Sequence, residues 1–118
     1  MKVQFVFRQV EPDITVLDLT GRLTTQGLTL GEVERAIKKR IEQGARKMVL
    51  DLGKVDFVDS SGVGMLVVVA TAMERAGGRM VIAGAAGTLK RILETVHLER
   101  AMEMYPDAAS ACAAILGN

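Results

Sequence analysis

The order of apolar runs in this chain predicts a single α/β domain, and three observations carry that prediction. Short β-rich runs alternate with segments whose apolar residues recur at helical spacing, in the order β-β-α-β-α-β-α-(β)-α. Only Glu11-Pro12-Asp13 separates the first two β runs, which suits a hairpin, whereas helices separate the later ones and favour parallel pairing through right-handed crossovers. No internal repeat, low-complexity tract or linker divides the 118 residues, so residues 1–118 read as one domain around a small mixed sheet.

Residues 3–10 and 14–20 are the two strands of the hairpin. In the second, Ile14, Val16 and Asp18 face one way and Leu17 and Leu19 the other, and Gly21 ends the run. Between residues 28 and 43, Leu30, Val33, Ile37 and Ile41 make one helical stripe, stopped by Gly44. Residues 48–52 form a short apolar strand broken only by Asp51, and residues 55–58 continue as an extended or turn segment. The next helix spans residues 61–76 and is closed by Gly77-Gly78. Its first half, residues 63–70, is apolar almost all round, so it is expected to be covered, with Met65 to Val69 in the core. Any exposed part of it would be a surface for a partner. Residues 80–83 are a strand, and residues 88–96 a helix with Leu89, Ile92, Leu93 and Val96 inward. Residues 102–105 read as a short edge strand, and Asp107 as the cap of a last helix reaching Leu116.

Composition narrows the function. Hydrophobic residues make up 49% and charged residues 25%, a globular balance, while 3% aromatic content and seven Met imply an aliphatic core with adaptable filler. The formal net charge of +1, from 15 basic and 14 acidic residues, lacks the basic excess of a nucleic-acid binder. The run Lys38-Lys39-Arg40 shares its helix with Glu32, Glu34 and Glu42 and reads as a solvated face. The single Cys112 excludes an internal disulfide and a Cys-rich metal site. With no leader pattern and no run of membrane-spanning length, the expected compartment is the cytoplasm, without membrane insertion.

The stretch VDFVDSSGVG, residues 55–64, sets small polar residues between two apolar runs. A hydrolytic serine needs a base, and His97 is the only histidine, with nothing directing it to Ser60 or Ser61. The glycines of a nucleophile elbow are missing around both serines, and His97 itself reads as a helix-end residue facing terminal carbonyls. Gly62 and Gly64 match two glycines of a dinucleotide loop, but Val67 occupies the third place, and no Gly-Lys-Ser/Thr occurs. Asp51, Asp56 and Asp59 are carboxylates of a kind common near strand ends. The expectation is therefore no enzyme, no cofactor and no metal. What remains is a serine at a helix N-terminus. Asp59 or Ser60 can cap the first-turn amides, and the same amides and dipole would favour a phosphate there. Capping and a phosphorylation switch explain the residues equally well.

Around this turn the chain reads ITVLDLTGRL (residues 14–23), KMVLDL (47–52) and VDFVDSSGVGML (55–66), followed by GGRMVIAG (77–84) and LKRILE (89–94). This succession, over nearly the whole chain, resembles the STAS domain of bacterial anti-sigma-factor antagonists. The resemblance implies a small mixed sheet with helices packed mainly on one side. It implies phosphorylation of the serine directly after the aspartate, Ser60, by a partner that is both anti-sigma factor and serine kinase. Unphosphorylated, such a protein binds that partner and frees a sigma factor; a phosphatase restores it. Asp59 and Ser61 would shape the turn, and Gly62 and Gly64 would give the partner close access. The chain departs from the family at Gly21-Arg22-Leu23-Thr24, where an acidic residue often ends the motif. Arg22 and Thr24 would make the surface less acidic and change partner choice. STAS domains also serve in signalling assemblies, lipid-transport complexes and transporter tails, so the alternative is a non-switching subunit in which Ser60 is only a cap.

Overall fold

The computed structural model describes residues 4–25 and 29–116. Its elements are β1 (Gln4–Val10), β2 (Ile14–Leu23), α1 (Thr29–Glu42), β3 (Lys47–Val58), α2 (Ser60–Arg75), β4 (Arg79–Ala83), α3 (Gly87–Thr95), β5 (Met104–Tyr105) and α4 (Ala108–Leu116), with a 3-10 turn at Leu98–Arg100. The order is the expected one; the expected starts at Val3 and Leu28 lie outside the described residues.

The five strands lie in sequence order, with β1 antiparallel to β2 and β2 to β5 parallel. Each successive crossover moves one place in the same direction across the sheet. Right-handed crossovers of that kind deliver their helices to the same face, so α1, α2 and α3 share one core. Val33, Ile37 and Ile41 from α1, Met65, Leu66, Val69 and Met73 from α2, and Leu89 and Leu93 from α3 are buried against Leu17, Leu19, Met48, Leu50 and Leu52. The last helix follows β5 and is free of that constraint. It covers part of the opposite face, setting Ala111 and Ile115 on Ile14, Val16, Val49, Val81 and Ala83. The alternation read in β2 is thus observed, and Asp18 on the α4 side pairs with Arg8 at 2.8 Å.

Two strands are longer than expected, for one reason. Gly21 does not end β2, and β3 does not stop at Leu52 but takes in residues 55–58; the two strands pair as far as Leu23 with Val58. Register shifts between Asp18 and Thr20 and between Gly21 and Arg22 absorb the irregularity. Gly21 takes φ 114°, which a side-chain-bearing residue rarely adopts, so the glycine permits the bulge rather than the stop. At the other end of the fold, Val96 was expected inward and is 46% exposed. His97 enters the left-handed region at φ 58°, its amide bonding the Glu94 carbonyl, and turns the chain so that Leu98 is buried instead.

Candidate functional site

The end of β3 delivers the Asp-Ser-Ser-Gly turn to the end of β2. Asp59 is extended (φ −101°, ψ −175°) and stands before the first helical residue, Ser60, so Asp59 and not Ser60 caps α2. Its main chain is held on both sides: the amide donates to the Leu23 carbonyl at 3.1 Å, and the carbonyl accepts from Val63 at 3.0 Å. Its carboxylate is divided between two elements. Oδ1 accepts from the Gly62 amide at 2.9 Å, while Oδ2 accepts from the Thr25 amide at 2.8 Å and the Thr25 hydroxyl at 3.2 Å. These donors, first the Gly62 amide and then that of Thr25, hold the carboxyl below its ordinary value. One correction follows. The α2 N-terminus does not offer its first-turn amides freely to a phosphate, because Asp59 already occupies that of Gly62.

Ser60 is exposed, and its hydroxyl has no hydrogen-bond partner among the described residues. Ser61 is exposed beside it. His97, assigned to terminal carbonyls, instead directs Nδ1 at Glu99, 3.4 Å away. Gly62 also departs from expectation. It is buried, and a Cβ there would stand 2.2 Å from the Leu23 carbonyl oxygen and 2.4 Å from Val58 Cγ2. Its lack of a side chain lets α2 sit on the end of β2 and gives a partner no access. Gly64 is exposed with open space around it, as access requires.

Beyond Gly64 the outward face of α2 carries Val67 and Val68, 40% and 42% exposed. Apolar cover was expected for this half of the helix. A helix packed on one side buries one stripe, here Gly62, Met65, Leu66, Val69, Ala70 and Met73, and leaves Gly64, Val67 and Val68 exposed. Arg22 and Thr24 flank the turn on β2 and just after it. The Arg22 guanidinium lies 5.1 Å from the Phe57 ring centre, and its Nε is 3.7 Å from Asp56, so the added positive charge is partly met locally. Thr25 is the residue that sequence reasoning missed; it lies 34 positions from Asp59, and nothing local marks the contact.

A family model described as the STAS domain matches residues 8–111. The chain belongs to the STAS domain family. A Bordetella bronchiseptica relative named as an anti-sigma factor antagonist, BtrV, is 29% identical over 51 residues, covering 43% of this STAS chain and 44% of that relative. Among solved structures, a Thermotoga maritima protein described as an anti-sigma factor antagonist superposes with a TM-score of 0.86 at 19% identity, covering 95% of this chain and 94% of that one. The Bacillus cell fate determinant SpoIIAA in its phosphorylated form gives 0.73 at 23% identity, covering 95% and 99%. At these identities the structures show a shared fold: this STAS domain has the architecture of anti-sigma factor antagonists.

Proposed function

We propose that this domain, taken as residues 1–118, is a cytoplasmic anti-sigma-factor antagonist that works by binding and not by catalysis. Its partner is an anti-sigma factor that is also a serine kinase, and phosphorylation of Ser60 by that kinase ends the binding until a phosphatase reverses it. One observation carries the reading. An exposed, unengaged serine hydroxyl heads an outward helix face made of Gly64, Val67 and Val68. The relative named as an antagonist, and the phosphorylated form in which SpoIIAA was solved, support the same assignment.

The physics is that of a local surface change. A phosphoryl group adds about −1.5 to −2 charges at neutral pH. On the rim of an apolar contact it brings bulk, charge repulsion and a desolvation cost, and a loss of a few kcal/mol lowers affinity roughly a hundredfold or more. Asp59 and Ser61 shape the turn, Gly62 seats it, Gly64 keeps the approach open, and Arg22 and Thr24 bias the choice of partner. The test is co-purification from the native host and mass spectrometry of Ser60, followed by titration of the recovered partner with unmodified protein, phosphoprotein and Ser60→Ala. Tight binding by the first and third, with weak binding by the second, is expected. Equal binding by all three would make this a non-switching subunit of an assembly.

A further inference from the structure

We infer that Asp59 and Thr25 form a latch through which modification of Ser60 is transmitted to the end of β2: a phosphoryl group on Ser60 displaces the Asp59 carboxylate from the Gly62 amide, and Thr25 is released. The inference rests on the reading that Ser60 is the modified residue. Its basis is the double engagement of one carboxylate. The contact to Gly62 uses Oδ1 and the contacts to Thr25 use Oδ2, and both oxygens belong to one planar, rigid group. Rotating that group to free the Gly62 amide carries the second oxygen away from Thr25.

Phosphorylation supplies the force for that rotation. Ser60 immediately follows Asp59 and is the first residue of α2, so its phosphate stands beside a carboxylate that is already charged. The two anions repel, and they compete for the amide of Gly62. The phosphate brings the larger charge and three acceptor oxygens and so prevails. The Asp59 main chain does not follow, because the Leu23 carbonyl and the Val63 amide hold it from both sides. The movement is therefore confined to the carboxylate, and its consequence falls on Thr25, where a backbone amide and a hydroxyl lose their acceptor together. A partner that touches the end of β2 thus meets a changed surface there as well as the phosphate itself.

The test uses the full chain with phosphoserine introduced at position 60 during translation, compared with unmodified protein by amide NMR and hydrogen exchange. The Thr25 amide is expected to lose its hydrogen-bonded shift and to exchange about tenfold faster in the phosphoprotein. The Ser110 amide, bonded to Asp107 at 2.7 Å in the matching position of α4, is expected to be unchanged. Asp59→Asn, which is near-isosteric but neutral and has one acceptor oxygen, is expected to abolish the difference between phosphorylated and unphosphorylated Thr25. Three results overturn the latch: Thr25 unaffected by phosphate, a response that persists in Asp59→Asn, or Ser110 loosening in parallel. Because none of these measurements involves the partner, they separate failure of the latch from failure of the proposed function, which shows as unchanged partner affinity.

Discussion

Replacing Gly62 by alanine would drive a Cβ to within 2.2 Å of a backbone oxygen at the end of β2, which cannot swing aside as a side chain can. Gly62→Ala is expected to lower stability by about 1–3 kcal/mol or more, read as a fall in the urea midpoint. Gly64→Ala, with open space around it on the same helix, is expected to stabilise by about 0.5–1 kcal/mol through helix propensity while crowding the face offered to a partner. The caps impose a pH dependence of definite sign. Asp59 and Asp107 both titrate below the ordinary 3.8, held there first by the amides of Gly62 and Ser110 respectively. A carboxyl lowered in the folded state stabilises fully above its ordinary value, and that contribution disappears as pH falls through the lowered one. Urea midpoints are therefore expected to fall below about pH 4, and less steeply in the Asp59→Asn/Asp107→Asn double variant.

The elements show where a helix's two faces part company. Leu66 is fully buried, so Leu66→Ala is expected to cost about 2–5 kcal/mol. Val67 and Val68 lie beside it in sequence but face outward, and Val67→Lys or Val68→Lys is expected to change stability by no more than about 0.5 kcal/mol. On the proposed function, each should weaken partner binding at least about tenfold by setting a charge in an apolar contact. Equal affinity, measured by calorimetry on a variant with unchanged melting, would remove the α2 face from the interface. Residues 63–70 are apolar almost all round, so their periodicity alone does not say which valines are outward; packing against the sheet and α1 decides that. The same holds for β2 and β3. Gly21 reads locally as the end of β2 and residues 48–52 as a short strand, yet pairing between residues 33 to 35 positions apart carries the two strands on to Leu23 and Val58.

Across the whole molecule, the site sits at one rim of the layer formed by α1, α2 and α3, while α4 closes part of the other face. Phosphorylation at an exposed N-terminal position of α2 touches neither core. Far-UV circular dichroism and the cooperativity of melting are therefore expected to be the same for phosphoprotein and unmodified protein, with the change confined to the turn and to Thr25. Ile115→Ala, by contrast, removes the α4 anchor on the second face and is expected to cost about 2–5 kcal/mol without altering the turn.

Much of this fold is a matter of short-range pattern: the hairpin around Pro12, the stripe of α1, the Asp107 cap and the junction at Asp59-Ser60 all depend on residues within a few positions of one another, and the sequence by itself determined them. The place of Ser60 at a helix start belongs to the same class, whereas its exposure is a property of the folded chain. Three features of the site do not: the burial of Gly62 against Leu23, the outward turn of Val67 and Val68, and the bridge from Asp59 to Thr25. Each is a contact, or the lack of one, between segments distant in the chain. Residue identity allows many such partners, and only the packing of α2 across the ends of β2 and β3 selects among them, so the tertiary structure alone decided these.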